Sequence, residues 1–468
     1  MKILVTGGSG VIGEGAIPEL LSRGHSVRLL SRHATGDARQ WIGVEPFAGD
    51  VSDAASLTGA CDGCDAVLHI AGMATGTRNM IAEATRAQVK RFVFVFSLGA
   101  DREAEQLVQQ SSLDWTIVRP GHVYGPGDEV ISLILKMVRT LPAVPVIADG
   151  EQEFQPLWHE DLAKVLAAAV EHVDLSGRII EAAGPDVTTM NDLLRRFAEI
   201  TGRSPSRIPM PAKLAELALR FTPVRMPAGD TRLRMLGETN VLHGENALDL
   251  FGIEGTPLER GLLLLADALP ETSPERGVGA MEHKRFHAVI RGTRHSAASL
   301  MTMFRERVNE FMPIEFVAEP GAPSRVEKGA TLTGALPLRG NFQVRVEVAE
   351  PKHVVFVTIE GHPLSGIVEF TSGESADGVT FAIDVYARAS TVFDWVTSRT
   401  AGALAQNTNW RVVVQRIIDA SAGTSEGVDE EKEKLSEDEA RAVEKRIRSI
   451  VQAHKREATS RTRASKPI

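Results

Sequence analysis

The stretch KILVTGGSGVIGEGA, residues 2–16, sets Gly7, Gly10 and Gly13 directly between an apolar strand and a helix. That spacing constrains the fold more than any other feature of the chain. Residues without side chains are needed where a tight turn carries the backbone up to a pyrophosphate, with the N–H groups of a helix start facing its negative charge. A strand feeding a helix through such a turn belongs to a parallel sheet with crossover connections, and the following residues keep that rhythm. KILVTG, HSVRLLS, DAVLHIA, RFVFVFS and DWTIVRP read as strands, with AIPELLSRG, NMIAEATRAQ and EAEQLVQQ as helices between them. The expectation is an α/β domain with a parallel sheet over residues 1–272, then a linker at 273–284 rich in Pro, Gly, Ser and charge.

At 468 residues the chain is too long for one ordinary core. A net charge of −9 argues against nucleic acid or an anionic membrane as partner, since both call for a basic face. No apolar run approaches the roughly 18–20 residues of a transmembrane helix; GLLLLADAL (261–269) comes nearest and carries Asp267. The start MKILVTGG lacks the apolar stretch of a signal peptide. Two cysteines point to a reducing compartment, so the expected location is the cytoplasm. Both lie in CDGC, Cys61 to Cys64, just before a strand. A redox pair would open a helix instead, so this reads as a solvent-side turn.

Beyond the linker the texture changes. RFHAVIRG leads into the helical AASLMTMFRERVNEFM, and FQVRVEV (342–348) alternates so that Phe342, Val344, Val346 and Val348 are expected on one face. HVVFVTIEG, GIVEFTS and VTFAIDVYA continue the series. Trp410, Val413, Val414 and Ile417 then mark one face of a long helix. Strand, helix, antiparallel meander and long helix, over residues 285–422, resemble the α+β helix-grip fold of the START-like (SRPBCC) superfamily. That resemblance implies an enclosed apolar ligand. His353, His362 and Asp384 lie on separate strands without metal-ligand spacing, so no metal site is expected. Residues 423–468 run from acidic to basic with a thin stripe of Val443, Ile447, Ile450 and Val451. They read as a solvated helix with a disordered end, or as a tail that binds a protein partner.

The strand after the glycine loop ends in Ser31 and Arg32, about twenty residues on. An acidic residue there would bind ribose hydroxyls, whereas Arg32 can pair with a 2′-phosphate or stand solvated at the surface. The first reading favours NADP(H) over NAD(H). With FAGDVSD (47–53), LHIAG (68–72) and RPGHVYGPGD (119–128) added, residues 1–272 resemble the extended and atypical short-chain dehydrogenases/reductases, NAD-dependent epimerase/dehydratase-like Rossmann proteins. The resemblance implies that Thr6 through Gly13, including Gly7, Ser9, Gly10, Val11, Ile12 and Gly13, cradle the pyrophosphate. It implies that Asp50 and Val51 read the adenine, that Ala71 and Gly72 border the adenosine ribose, and that Arg119, Pro120, Tyr124, Gly125 and Pro126 pass the nicotinamide. LWHEDLAKV, with His159 and Asp161, matches a substrate-side segment. Later stretches resemble the branch containing the nucleotide-binding accessory subunit of respiratory complex I, where the nucleotide has a structural role.

Hydride transfer at a carbonyl needs a proton donor on oxygen. Active members of the resembled family use a Tyr with a Lys four residues later, between the strand ending at Ser97 and the one holding Trp115. That interval contains neither residue, and the lysine position falls near Asp101. SLGAD runs almost directly into REAEQLV, and the AGMA–TGTRN connection looks shortened as well. Ser97 and Tyr124 are the catalytic candidates that remain, with His122 a further local donor. The sequence therefore leaves two functions open. One is a nucleotide-binding accessory or sensor module, and the other an NAD(P)H-dependent oxidoreductase acting on a quinone or another small carbonyl-type substrate.

Overall fold

The structure is a computed structural model that describes residues 1–38, 41–70, 73–96, 102–128, 130–211, 213–214, 236–237, 239–267, 277–318, 325–336, 340–359, 362–390, 394 and 403–464. The first sheet contains β1 (Lys2–Thr6), β2 (Ser26–Ser31), β3 (Glu45–Ala48), β4 (Ala66–His69), β5 (Arg91–Val95) and β6 (Asp114–Pro120). Three short strands follow, β7 (Val123–Tyr124), β8 (Ala143–Ile147) and β9 (Leu157–Trp158), before β10 (Arg178–Ala182) completes it. The order is β10-β6-β5-β4-β1-β2-β3, all parallel. β4 and β5 are buried along their whole length, as strands covered on both faces must be. The order reverses between β1 and β4, which opens a crevice at their carboxyl ends, and the glycine loop lies there.

Helices α1 (Val11–Ser22), α2 (Ala34–Ala38), α3 (Ala74–Arg86), α4 (Arg102–Gln109), α5 (Ile131–Thr140), α6 (His159–Glu171) and α7 (Met190–Thr201) alternate with these strands. α1 holds Gly13, Gly15 and Pro18, a poor helical composition, so tertiary packing must sustain it. Ile17 and Leu20 are fully buried in a core shared with Leu162, Val165 and Leu166 of α6. A second core gathers α5, α7 and the helix Leu258–Asp267 around β8, which pairs with β11 (Ser206–Met210).

The second sheet is antiparallel. It comprises β12 (Val278–Ile290), β13 (Val317–Ala318), β14 (Thr331–Leu336), β15 (Gly340–Glu350), β16 (His353–Thr358), β17 (Leu364–Ser375), β18 (Gly378–Ala389) and β19 (Asp429–Lys434), in the order β13-β14-β15-β16-β17-β18-β12-β19. On its inner face Phe286, Val344, Val346, Phe356, Phe370 and Phe381 pack against helix Ala297–Glu306 and against Val413, Val414 and Ile417 of helix Ala403–Ala420. Trp410 packs against the same core. The two sheets' parts also touch: Ile359 is buried in the core that holds α5, and Arg345 of β15 reaches the carbonyl of Asp267.

Four expectations are corrected. β12 begins at Val278, inside the segment read as linker, because its alternation was hidden by a polar, glycine-rich start. Val348 leaves the face of Phe342, Val344 and Val346: the register shifts between Val346 and Val348, so the extra residue, Glu347, turns Val348 to the opposite side. Cys61 and Cys64 are free and buried, so CDGC is no solvent-side turn, and burial pushes the Cys61 thiol up to about 12. The segment 423–468 is neither wholly solvated nor a loose tail over its first half. Residues 429–434 pair with β12, whose His283 lies between Glu433 (2.8 Å) and Asp384 (2.9 Å). Helix Glu437–Ala464 then lays Val443, Ile447 and Ile450 on Val355, Val357 and Ile367 of the outer face. The acidic strand was unreadable alone, because its basic partners sit far back in the sequence. The side chain of Val451 lies outside the described residues.

Candidate nucleotide-binding site

Thr6 ends β1, and Gly7 turns the chain with φ of +70°, a conformation open to glycine. Gly10 stands at the start of α1 with extended backbone, and no side chain caps the helix. A Cβ added to Gly10 would find its nearest neighbour, the Gly7 carbonyl, at 3.7 Å, so this exposed position has room for a side chain. A Cβ on Gly13 would come within 2.3 Å of Gly8 Cα and 2.5 Å of the Gly7 oxygen; here the missing side chain lets the helix rest on the loop. Gly8, which the sequence reading did not single out, is less tightly held, since its would-be Cβ meets the side-chain end of Leu29, Cδ1, at 2.4 Å. The doubled glycine was its only signal. Ser9 and Gly10 are exposed, Val11 and Ile12 half-buried. Uncapped amides at a helix start, reached through a side-chain-free turn, form a cradle for an anion.

The flank of the cradle is polar. The Asp50 carboxylate accepts from the Ser52 amide (2.9 Å) and hydroxyl (2.7 Å), bonds that hold it below the usual carboxylate range. The Val51 carbonyl accepts from Asn79 at 3.0 Å, and the Val51 side chain fills the space that Gly76 leaves on α3. Arg32 is exposed at the end of β2 and adds to the lowering of Asp50. Asp37, unremarked in the sequence, accepts a hydrogen bond from Ser31 and so brings a carboxylate to the same strand end. The signal for it was only a short helix six residues on. Ala71, Gly72, Ser97 and Asp101 lie outside the described residues.

A sequence profile described as NAD(P)H-binding matches residues 7–134, and one for the NAD dependent epimerase/dehydratase family matches residues 98–183. Together the two profiles match residues 7–183, the part of the chain that carries the glycine loop and the parallel sheet. Among the chain's relatives is an uncharacterized protein of Mycobacterium tuberculosis, 29% identical over 214 residues, covering 43% of this chain. The chain spans only 23% of that protein's length. Sterol demethylase protein B of Methylococcus capsulatus is 26% identical over 283 residues, covering 48% of this chain and 85% of that protein. NADH dehydrogenase [ubiquinone] 1 alpha subcomplex subunit 9, mitochondrial, of Arabidopsis thaliana is 25% identical over 244 residues, with coverages of 45% and 61%.

Beyond the cradle, Pro120 is buried at the end of β6 beside Ala182. Arg119 is engaged by Glu105 of α4, at 2.5 Å, and approaches Glu181 at 3.9 Å. His122 is buried edge-on to Phe154, and desolvation takes it down to about 4. Tyr124 is 1% exposed, edge-on to Trp158, with its hydroxyl against Gly261 and no hydrogen-bond partner among the described residues. Burial and the nearby Asp161, Asp186 and Asp128 push its phenol above the ordinary range. His159 wedges between Gly15 and Gly125, and burial lowers its affinity for a proton. Asp161, fully buried, accepts from Lys164 (2.7 Å) and from the Thr256 amide (2.6 Å), which ties down the chain before helix Leu258–Asp267. The structure thus brings His159 and Tyr124 into the core instead of onto an open face. Among the described residues no cluster of His, Cys, Asp and Glu is suited to a metal. No described helix is long and apolar enough to cross a membrane.

Proposed function

We propose that this protein is an NADP(H)-binding accessory or sensor module, with residues 1–272 holding the nucleotide and the antiparallel domain holding an apolar ligand. The observation that carries the reading is the pairing of an uncapped α1 amino terminus, open at Gly10, with a stretch between β5 and β6 that contains no Tyr and no Lys. Gly7, Ser9, Gly10, Val11, Ile12 and Gly13 would bind the pyrophosphate through backbone N–H groups. Asp50 and Val51, with Ala71, Gly72 and Pro120, would line the rest of the cofactor's path. The cofactor would supply hydride chemistry; the chain's own residues would orient it and exclude water. Arg32 supports the phosphorylated form, while Asp37 beside Ser31 is the feature that favours NAD(H). Strand, helix, meander and long helix in that order support the helix-grip reading of residues 285–422. Buried free thiols at Cys61 and Cys64 suit the cytoplasm.

Titration with NADPH and NADH, followed by nucleotide fluorescence, tests the reading. Tight NADPH binding without turnover is the expected result, and Arg32→Glu should reverse the preference. No response to either nucleotide would end it. The second reading, an oxidoreductase on an apolar or quinone-like substrate, is favoured by the kinship to a protein named sterol demethylase protein B. Steady NADPH consumption with a panel of quinones, ketosteroids and aldehydes would select it.

A further inference from the structure

Beneath the glycine loop, Thr6, His69 and Thr77 form a buried row, each fully inaccessible to solvent. His69 Nδ1 lies 2.8 Å from Thr6 Oγ1, and its Nε2 lies 3.1 Å from Thr77 Oγ1. The direction of every proton follows from the flanking partners. The Thr77 hydroxyl donates to the Met73 carbonyl at 3.0 Å, so its oxygen is left to accept from His69, which places the ring proton on Nε2. Nδ1 is then an acceptor, and Thr6 donates to it. Thr6 Oγ1 in turn accepts from the Ile70 amide at 3.2 Å. Phe94 stacks on the imidazole at 5.6 Å and Phe92 tilts against it at 5.8 Å, which pins the ring plane. Desolvation takes His69 down to about 3, so the neutral tautomer holds at any physiological pH.

This row joins three places. Thr6 is the residue from which the chain enters Gly7, Ile70 follows the last residue of β4, and Met73 stands at the start of α3. We propose that His69 is a positioning residue: through Thr6 and Thr77 it fixes the glycine loop and the end of β4 in the one spacing that admits the nucleotide. The proposal rests on the nucleotide-binding reading above and adds to it a residue that never touches the ligand. All three side chains are fully buried, so breaking a link in the row costs a hydrogen bond where water cannot replace it.

The test uses the full-length protein with NADPH as probe. His69→Phe keeps the volume and removes both links; Thr77→Val removes one link without touching the loop. Both should bind NADPH about tenfold more weakly, in line with the loss of a buried hydrogen bond. His69→Asn, whose carboxamide oxygen can take the Thr6 proton, should recover part of that loss. Leu166→Ala, in the α1–α6 core, serves as a control that lowers stability with the relay intact. Hydrogen exchange of residues 5–12 in the nucleotide-free protein should quicken in His69→Phe and Thr77→Val but not in Leu166→Ala. Wild-type affinity and unchanged loop exchange in both relay variants would overturn the proposal. If the wild-type protein bound no nucleotide, the proposed function would fall, and the exchange experiment would still decide the relay.

Discussion

Arg139 and Arg345 donate to consecutive carbonyls at the end of helix Leu258–Asp267. Arg139, on α5, reaches the Ala266 oxygen at 3.3 Å, and Arg345, on β15, reaches that of Asp267 at 2.8 Å. Both side chains are 1% exposed. Two cations meet the negative end of one helix dipole, one from each sheet's part of the chain. The antiparallel domain is thereby attached to α5 and to helix Leu258–Asp267 of the amino-terminal part. Arg345→Met should cost about 1.5–3 kcal/mol, the range for a hydrogen bond to a charged donor, and should split urea unfolding into two steps. A single transition with an unchanged midpoint would show that the junction carries no weight.

Gly10→Asp separates folding from binding. The position is open, and aspartate is a better helix N-cap than glycine, so the melting temperature should hold or rise slightly. A carboxylate facing the pyrophosphate should weaken NADPH by about a hundredfold. Gly13→Ala has the opposite character: its methyl group would drive backbone into backbone, so stability and binding should fall together.

Tyr124→Phe tests whether this phenol is core or catalyst. Its hydroxyl is buried without a partner among the described residues, so its removal should be neutral or should stabilise by about 1 kcal/mol. Any NADPH consumption should continue unchanged. A variant that lost turnover while keeping its melting temperature would make Tyr124 the missing acid.

Two buried histidines set an acid limit. His69 and His122 have folded-state affinities for protons lowered from 6.5 to about 3 and about 4. Below about pH 6.5 the unfolded chain takes up protons that the folded one refuses, so stability present at neutral pH is lost as pH falls. Each should contribute a slope of about 1.4 kcal/mol per pH unit, ending near its folded value. Urea midpoints across roughly pH 7 to 5 should show this slope in the wild-type protein and a shallower one in His122→Gln.

Ile447→Ala tests the terminal helix. The side chain is 3% exposed against Val355, Val357 and Ile367, so truncation should cost about 2–5 kcal/mol. A surface helix would show almost no change.

The nucleotide domain was legible because its signals are local. A glycine loop, five apolar strands and a terminal Arg–Pro lie in unbroken stretches, and each element's burial matches its pattern. The site was legible as far as Gly7–Gly13 and Asp50 for the same reason. What escaped depends on distance or on single residues. Asp37 reaches Ser31 only after α2 folds back, and Tyr124 owes its burial to Gly261. Val348 is displaced by one unpaired residue that alternation cannot reveal. The acidic strand 429–434 has neither apolar alternation nor a β-branched residue, and it pairs where His283 and His287 wait on β12.

β12 has β18 on one side and β19 on the other. The opening strand of the antiparallel domain therefore cannot close its sheet until residues 429–434 have left the ribosome. During synthesis β18 can pair with one edge first, but the other edge must wait, and its two histidines discourage stray pairing with other chains meanwhile. The nucleotide domain can be complete and loaded well before that moment, so cofactor capture would precede the closing of its companion.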